Sequence, residues 1–528
     1  MSMINLCKIL CGALFACVAT LSVIRAGDTG FSSPFITYDN AYGHMNILAS
    51  DAMRGRDTPS PELDSSASYI AAQFSRYGVS PVNGTYFHTY SVKEFDLGMP
   101  TTLVCKKQDS TYEFLLKNDF IPFSNSGEAR LSGESLVFAG FGWIDSSKKY
   151  NDFADIDVRG KVVVMIGGMP SFGVPRKSSE GEGRERGIRT KVQNAKLLGA
   201  KGVIIISNPL LRLKLRPVGY PFPSLYPTLS GEKMPLVYDN GSVESMPVIH
   251  AGEKVASFLF GSVDSLRSLV IKMDSLAKPQ SFSFDKNMTI VDFTVTFVTK
   301  KTTVKNVMGM VKSAKSTGEY IVIGAHYDHV GFSRPQSKEK DSIFNGADDN
   351  ASGTTGLLML AQSFARLSEN IHRNIVFVAF SGEEKGLYGS RAFVETPPLP
   401  LQQCVAMFNM DMIGRNDSNT LSVGGNSRCP ELAQLNEKMN QTLTKPFIVK
   451  YDAEQFFFRS DQANFAKKKI PVLFYFSGEH ADYHKVTDEI SKINFDKLLR
   501  ITELCGKTVF KTANLIERLP YSPQPGDE

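Results

Sequence analysis

The sequence is poor in the features that mark several classes of protein. Its formal net charge is only +5 over 528 residues, which gives no case for nucleic-acid binding. Its 42 glycines and 26 prolines show no period, so collagen-like and low-complexity chains are excluded. Beyond the first 26 residues, no segment approaches the ~20 apolar residues that a membrane span needs. The chain is therefore expected to be globular, and its length predicts two or three domains of ~100–200 residues each.

The one long apolar run lies at the amino terminus. Lys8 precedes an apolar stretch over residues 9–24, which predicts a signal peptide at 1–26 and an exported, periplasmic or secreted, mature chain. Lipoprotein anchoring at Cys17 is a minor alternative. Removal of this segment leaves four of the seven cysteines, Cys105, Cys404, Cys429 and Cys505. An even number permits disulfides in an exported protein without showing them.

The rest of the chain changes character along its length. Residues 27–128 begin with apolar residues at helical spacing up to Tyr77, and Gly78 predicts the end of that helix. Residues 129–268 alternate short β-branched runs with Gly- and Pro-rich turns, and the polar stretch 176–189 within them predicts a solvated loop. Residues 269–515 alternate strand and helix patterns, as in a mostly parallel α/β sheet. Residues 516–528 predict a disordered tail.

Side chains that can bind metals follow the predicted buried strands at 320–325, 375–380, 404–408 and 471–476. They lie in residues 326–329, 382–384, 409–411 and 481–484, and residues 346–350 come just ahead of a helix. Ligands bind at the carboxyl ends of strands in open α/β sheets, so these segments are expected to converge. Each one alone has a structural explanation; Asp348, for instance, suits a helix amino terminus. Their coincidence in a chain with only eight histidines favours a metal centre.

The mixture of side chains indicates which metal and how many ions. Histidines combined with carboxylates, with no cysteine nearby, fit zinc or a similar metal in a catalytic site. Two histidines and three or four acidic groups carry more negative charge than one divalent ion neutralises. The pattern therefore predicts two ions that share a water molecule, an arrangement suited to hydrolysis.

Together these segments resemble the co-catalytic di-zinc exopeptidases typified by bacterial leucyl aminopeptidase and aminopeptidase Y, which are related to glutamate carboxypeptidase. The resemblance runs from about His44 to Thr512 and includes residues 48–56, which are similar to the family's amino-terminal signature. Residues 138–142 and 199–203 resemble the protease-associated domain often inserted in this family. The resemblance implies a mixed, mostly parallel twisted sheet sandwiched by helices, interrupted at 129–268 by a β-rich protease-associated domain.

The resemblance also implies two Zn²⁺ per chain and a role for each metal-directed residue. His326 and Asp411 would hold one zinc, Glu384 and His484 the other, and Asp348 would bridge both. A cis peptide bond is expected between Asp348 and Asp349.

Further roles follow from the same resemblance. Glu383 would be the general acid/base, and Asp328 would orient the His326 imidazole. Asp488 is expected to orient His484 in the same way. Tyr483 and Met412 are candidate substrate contacts, whereas the run Phe456-Phe457-Phe458 favours packing over a pocket role.

The implied function is an exported zinc aminopeptidase that removes apolar residues from the amino termini of peptides, with Glu383 acting on the shared water. Three alternatives stay open. A carboxypeptidase would use the same centre, and a glutaminyl cyclase shares the fold but generally lacks an inserted domain. A receptor-like binding protein, as with transferrin receptor, would lack a working metal site. The sequence leaves the oligomeric state open.

Overall fold

The computed structural model describes residues 30–527 apart from 124–125, 173–180, 213, 218–221, 223–224, 226–235, 240–245, 277, 317 and 333–340. The predicted signal peptide at 1–26, with Cys17, lies outside these residues. Within the described ranges, no helix combines the length and apolar character needed to cross a bilayer. Cys105, Cys404, Cys429 and Cys505 are buried and carry free thiols.

The described residues form ten α-helices and twenty-one strands. The helices are α1 Tyr38–Leu48, α2 Pro61–Tyr77, α3 Gly181–Leu197, α4 Glu253–Phe260, α5 Val263–Leu276, α6 Gly353–Phe364, α7 Tyr388–Glu395, α8 Pro430–Asn440, α9 Gln462–Ala466 and α10 Phe495–Ala513. The first strands are β1 Phe87–Leu97, β2 Thr102–Lys107, β3 Ser110–Phe114, β4 Phe120–Pro122, β5 Ala129–Leu131, β6 Leu136–Phe138, β7 Ile144–Asp145, β8 Tyr150–Asn151, β9 Val162–Ile166 and β10 Gly202–Ile206. The others are β11 Leu236–Tyr238, β12 Val248–Ala251, β13 Phe282–Ser283, β14 Met288–Val295, β15 Phe297–Val311, β16 Tyr320–His326, β17 Asn374–Phe380, β18 Cys404–Asp411, β19 Thr420–Gly424, β20 Ile448–Lys450 and β21 Val472–Phe476.

The chain divides into two compact units. The first unit combines Met1–Ser91 with Thr303–Glu528, and the second is Val92–Thr302. An insertion in the peptidase-like part was expected at 129–268, and the second unit is wider on both sides because strands β2, β3 and β14 belong to its sheets.

The first unit is built on a mixed sheet. Its strands follow the order β1-β15-β17-β16-β18-β21-β19-β20. The four central strands, β17, β16, β18 and β21, run parallel, whereas β15 and β19 pair antiparallel at either side of them. The expected mixed, mostly parallel sheet is confirmed, and its buried central strands are the continuous apolar runs of the sequence.

Helices cover both faces of this sheet. Ile321, Ile323 and Ala325 on β16 face a core that includes α1, α2, α6 and α10, whereas Val322 faces a second core with α7 and α9. This alternation follows from the two-residue period of a strand. The sheet is therefore sandwiched by helices, as predicted.

Helix α2 illustrates how local sequence sets an element. The Ser60 hydroxyl accepts a hydrogen bond from the Leu63 amide at 3.0 Å, and Pro61 occupies the first turn, where its missing N–H costs nothing. Gly78 ends the helix in the left-handed conformation with φ of 80°, which confirms the predicted end.

The second unit is rich in strands. A six-stranded sheet has the order β13-β6-β9-β10-β12-β4, and a four-stranded sheet has the order β3-β2-β14-β5. The predicted runs at 161–166 and 202–206 are the adjacent parallel strands β9 and β10. Part of the stretch predicted as a loop over 176–189 is instead helical, since α3 begins at Gly181.

The carboxy-terminal segment differs from the disordered tail that its composition suggested. Asp527 is buried and accepts a hydrogen bond from Arg428 at 2.9 Å and another from Tyr521 at 2.6 Å. The Arg428 guanidinium also lies 3.6 Å from the centre of the Phe457 ring. A buried ion pair that joins distant parts of the chain therefore fixes this segment.

Candidate metal centre and active site

Three neighbouring strands of the first unit end at the candidate site. β16 ends at His326 and β18 at Asp411, while the turn after β17 carries Glu383 and Glu384. The strands are parallel and lie in the order β17-β16-β18, so their carboxyl ends share one edge of the sheet. The fold therefore brings these four side chains together from segments far apart in sequence.

The first donor group consists of His326, Glu383 and Asp411. One ligand atom from each of these buried side chains lies within 4.8 Å of the others. Nδ1 of His326 lies 3.1 Å from the Asp328 carbonyl oxygen, and its Nε2 lies 3.2 Å from Oδ1 of Asp411. A carbonyl oxygen only accepts, so Nδ1 carries the proton. Nε2 therefore faces Asp411 and can bind a cation in place of a proton, as a metal ligand requires.

The second donor group consists of His329, Asp349, Glu384 and His484, whose ligand atoms also lie within 4.8 Å of one another. Nε2 of His484 lies 3.0 Å from Oε2 of Glu384, and Nδ1 of His329 lies 2.9 Å from Oε1 of the same carboxylate. The His329 and His484 rings meet edge to face with centroids 5.5 Å apart. This group offers two imidazoles and two carboxylates.

Asp349 lies between the two groups. Its Oδ1 lies 3.3 Å from Nε2 of His326, and its Oδ2 lies 3.2 Å from Nε2 of His484. The bridging position expected for Asp348 is therefore occupied by Asp349. The Asp348 carboxylate points elsewhere, because its Oδ1 accepts a hydrogen bond from the Gly414 amide at 2.6 Å.

Two other expectations for this loop are corrected. The non-proline cis peptide bond lies between Asp349 and Asn350, one residue later than predicted. Asp488 does not orient His484; its Oδ2 accepts hydrogen bonds from the amides of Asp348 at 3.0 Å and Asp349 at 3.1 Å. Asp488 therefore holds the backbone of the loop that presents Asp349.

Asp328 acts on its surroundings differently from the expectation. Its carboxylate lies 3.8 Å from Nδ1 of His326, whereas its main-chain carbonyl makes the hydrogen bond to that ring. The carboxylate instead accepts hydrogen bonds from the Thr58 hydroxyl at 2.8 Å and from the Glu383 amide at 3.3 Å. Burial raises the pKa of Asp328 to about 6. Asp328 thus joins the segment after β16 to the turn that carries Glu383.

Glu383 has the electrostatic surroundings of a proton acceptor. Burial raises the pKa of this carboxyl well above its usual range, and the neighbouring carboxylates of Glu384 and Asp411 raise it further, against the lowering effect of His326. A carboxylate with a raised pKa is suited to take up a proton and release it again near neutral pH.

Imidazoles and carboxylates of the site stabilise each other's charged forms. Burial alone would lower the pKa of His484, but Asp349 and Glu384 raise it to about 10. In the same way, the carboxylates of Asp411 and Glu383 outweigh burial and raise the pKa of His326. Sites that hold protons through surrounding carboxylates can hold a divalent cation in their place. The donor set of imidazole nitrogens and carboxylate oxygens fits zinc.

A cavity opens beside the two donor groups. It is lined by His326, Asp349, Glu383, Asp411, Met412, Phe456, Arg459, Ser460, Phe474, Phe476, Glu479 and Tyr483. Phe474 and Phe476 stack with centroids 5.4 Å apart, and Phe456 meets Phe476 at 5.2 Å. One wall is therefore apolar and aromatic, while the other carries the metal-directed side chains.

The two predicted substrate contacts both lie on this cavity. Met412 is buried on the apolar wall, and Tyr483 stacks on the His484 ring with centroids 3.9 Å apart. Arg459 pairs with Glu479 at 2.9 Å on the same cavity and reaches the Tyr483 hydroxyl at 3.4 Å. The cavity thus combines an apolar pocket with one accessible ion pair.

Comparison with known proteins matches a part of each unit to a described family. The family model of peptidase family M28 matches residues 306–509, and that of the PA domain matches residues 134–256. Residues 306–509 are therefore similar to peptidase family M28, and residues 134–256 are similar to the PA domain. The M28 match contains both donor groups and the cavity, and the PA match lies wholly inside the second unit.

Individual relatives cover parts of this chain. It is 34% identical over 113 residues to a probable zinc metalloprotease of Pyrenophora teres f. teres, which is 21% of this chain and 23% of that protein. It is 30% identical over 198 residues to leucine aminopeptidase 1 of Neurospora crassa, covering 35% of this chain and 48% of that protein. The chain thus spans at most about half the length of these curated relatives. An aminopeptidase structure from Aneurinibacillus sp. strain AM-1 aligns at 20% identity over 92% of this chain and 96% of that one, with a TM-score of 0.48.

Several residues of the M28 site were missed by sequence reasoning. Asp349 stands beside the residue that was chosen, and nothing in the sequence separates the two. His329 belongs to the same strand-end segment as His326, and that location was its only signal. Phe474 and Phe476 alternate along β21, so the period of the strand could have placed them on one face.

Proposed function

We propose that the M28 domain is a two-zinc aminopeptidase that releases apolar residues from the amino termini of peptides. The observation that carries this proposal is the position of Asp349 between two donor groups, beside a cavity with an aromatic wall. Export of the protein rests on residues 1–26 and stays a prediction.

The residues fit two cation positions that share one carboxylate. His326 and Asp411 would hold one zinc, Glu384 and His484 the other, and Asp349 both. Zinc at such positions polarises a peptide carbonyl and lowers the pKa of a water molecule. The remaining chemistry belongs to the side chains around them.

Glu383 moves the proton. Its carboxylate lines the cavity beside both donor groups, and its raised pKa lets it take a proton from the attacking water and deliver it to the departing amino group. The backbone amide of Glu383 donates to Asp328, which holds the turn in place during this exchange.

The aromatic wall selects the substrate side chain. Met412, Phe456, Phe474 and Phe476 offer an apolar surface to the residue next to the scissile bond. Each methylene group that a substrate buries against such a surface contributes ~0.8 kcal/mol. Leucine or phenylalanine is therefore preferred over alanine or a charged residue.

A carboxypeptidase is the second candidate, because Arg459 lies on the cavity and a guanidinium binds a carboxylate through two parallel hydrogen bonds. The 2.9 Å ion pair with Glu479 occupies this guanidinium and favours the aminopeptidase.

The deciding experiment is a mass-spectrometric time course on a mixture of peptides that are free, amino-acetylated or carboxy-amidated. The purified protein is incubated with zinc and, separately, with a chelator. An aminopeptidase trims free and amidated peptides from the amino end, and acetylation or chelation abolishes the products. Trimming from the carboxyl end supports the second candidate. Loss of ammonia from amino-terminal glutamine indicates a cyclase, and no reaction with bound zinc indicates a binding protein.

The role of Glu383 is tested by the Glu383→Gln variant. We expect kcat to fall by ~10²–10⁴-fold with both zinc ions retained, because the amide cannot take up the proton. Glu395→Gln is the matched control, since Glu395 is exposed on α7 and pairs with Arg391 one turn away. Near-normal turnover of the zinc-loaded Glu383→Gln variant would refute the assignment.

A further inference from the structure

His329 lies in the second donor group, yet the proposed ligand set leaves it without a role. Its ring is fully buried, and Nδ1 lies 2.9 Å from Oε1 of Glu384. The same nitrogen lies 3.6 Å from Oδ2 of Asp349, a longer approach. His484 reaches the other oxygen of Glu384, Oε2, at 3.0 Å. The same nitrogen of His484 also lies 3.1 Å from Oε1, so His484 faces both oxygens of this carboxylate, whereas His329 approaches it at Oε1.

The surroundings, rather than Glu384, fix the His329 ring. Gly346 has φ of 57°, and a Cβ at this glycine would lie 2.5 Å from Cδ2 of the imidazole, so only glycine leaves room for the ring. The His329 amide donates to the Arg56 carbonyl at 3.2 Å, which anchors its backbone. The edge-to-face contact with His484 closes a third side. A ring held in this way can impose an orientation on a carboxylate.

The two ring nitrogens differ in their partners. Nε2 of His329 is buried and has no hydrogen-bond partner among the described residues. If Nδ1 bound a metal, the proton would sit on Nε2, where a buried N–H without an acceptor is unfavourable. Metal-bound histidines almost always donate their second N–H. The proton therefore belongs on Nδ1, where the Glu384 oxygen accepts it.

We propose that His329 is a positioning residue that orients Glu384 rather than a zinc ligand. The Nδ1–H of His329 occupies Oε1 of Glu384 and leaves Oε2 for the cation shared with His484. This inference rests on the proposed function, since it concerns the second cation position. Groups that orient a ligand in this way typically contribute 10–100-fold to metal affinity.

Two substitutions separate positioning from ligation. In His329→Asn the amide nitrogen takes the place of Nδ1 and can donate to Glu384, but it has no lone pair for zinc. In His329→Leu the donor is lost and the bulk is largely kept. His372→Leu is the matched control, because His372 lies outside the site and contacts Asn514 at 2.6 Å.

The readout is zinc affinity, measured for each of the two ions by competition with a chromophoric chelator. We expect His329→Leu to weaken one ion by 10–100-fold, His329→Asn to stay within about threefold of the wild type, and His372→Leu to have no effect. Equal losses in His329→Asn and His329→Leu would show ligation and overturn the inference, as would unchanged affinity in His329→Leu.

X-ray absorption of the two-zinc wild-type protein tests the same point without any variant. Positioning predicts two imidazoles per pair of zinc ions, from His326 and His484, whereas ligation by His329 predicts three. Failure of the wild-type chain to bind zinc at all would overturn the proposed function itself, which keeps the two failures distinct.

Discussion

His44 provides a pH-dependent contribution to stability that can be calculated from its surroundings. It lies on α1 with its ring buried between two tyrosine hydroxyls, Tyr69 at 2.7 Å from Nδ1 and Tyr77 at 2.9 Å from Nε2. A neutral imidazole accepts one of these hydrogen bonds and donates the other. Burial, aided by the Arg76 guanidinium, lowers the pKa of His44 from 6.5 to about 4.

The sign follows from the lowered pKa. As the pH falls, the unfolded chain binds a proton at His44 before the folded chain does. The contribution to stability is therefore complete above the unfolded value of 6.5 and is lost as the pH falls toward 4. Between pH 7.5 and pH 5 the linkage relation gives a loss of about 2 kcal/mol in the free energy of unfolding of the first unit.

The assay compares the wild type with His44→Gln by urea unfolding at both pH values, followed by circular dichroism at constant zinc. Glutamine can both donate and accept a hydrogen bond but does not titrate in this range. Effects of pH on other groups cancel in the comparison, so the advantage of the wild type should shrink by about 2 kcal/mol at pH 5. An NMR titration of the His44 ring gives its pKa directly. An unchanged advantage, or a ring that titrates near pH 6.5, would refute the reasoning.

The remaining predictions concern the loop that carries Asp348 and Asp349, and the buried guanidinium of Arg56. Asp349→Asn should lose zinc from both positions, because the two oxygens of Asp349 face both donor groups, whereas Asp348→Asn should retain two ions. Mass spectrometry of the bound metal measures the zinc content of both variants. Full zinc occupancy in Asp349→Asn would contradict the bridging role. Arg56→Met should destabilise the zinc-loaded first unit by roughly 3–5 kcal/mol, as expected for the loss of a buried charge that donates hydrogen bonds to three backbone carbonyl oxygens, those of Tyr327, Asn345 and Gly346. Urea unfolding measures this change, and a loss below about 1 kcal/mol would show that the guanidinium is dispensable.

The strands that carry the site could be predicted closely from the sequence. The runs at 320–325 and 375–380 correspond to β16 and β17 within one residue at each end. Strands buried on both faces must be apolar throughout, and such runs are conspicuous. The location of His326, Glu384 and Asp411 at strand ends follows from this pattern.

The choice between Asp348 and Asp349 could not be made from the sequence. The two side chains are identical, and their directions depend on backbone angles that distant residues impose. Asp488 accepts hydrogen bonds from two backbone amides of the loop, and the Gly414 amide donates a hydrogen bond to the Asp348 carboxylate. Both partners are distant in sequence, so residues 346–353 by themselves do not indicate these contacts.

The carboxy-terminal segment illustrates the same difficulty. Its proline-rich composition is typical of disorder. Its order comes from Asp527, which pairs with a buried Arg428 about a hundred positions earlier in the chain. Composition describes how a segment behaves by itself, and it carries no information on a partner of opposite charge elsewhere.

The buried charges around Arg56 link metal binding to folding in the first unit. The Arg56 guanidinium donates to the carbonyl oxygens of Tyr327, Asn345 and Gly346, and burial lowers its pKa to about 10 although nearby carboxylates, Asp349 among them, oppose the shift. The raised pKa values of His326 and His484 add positive charge to this guanidinium, so the donor groups hold their carboxylates together with bound protons. Divalent cations bound there would replace these protons, and because the folded chain alone brings the ligands together, their binding free energy adds to the free energy of folding. Substitutions that weaken zinc binding should therefore also lower the unfolding free energy of the first unit at a given zinc concentration, and those that spare it, such as Glu383→Gln, should not.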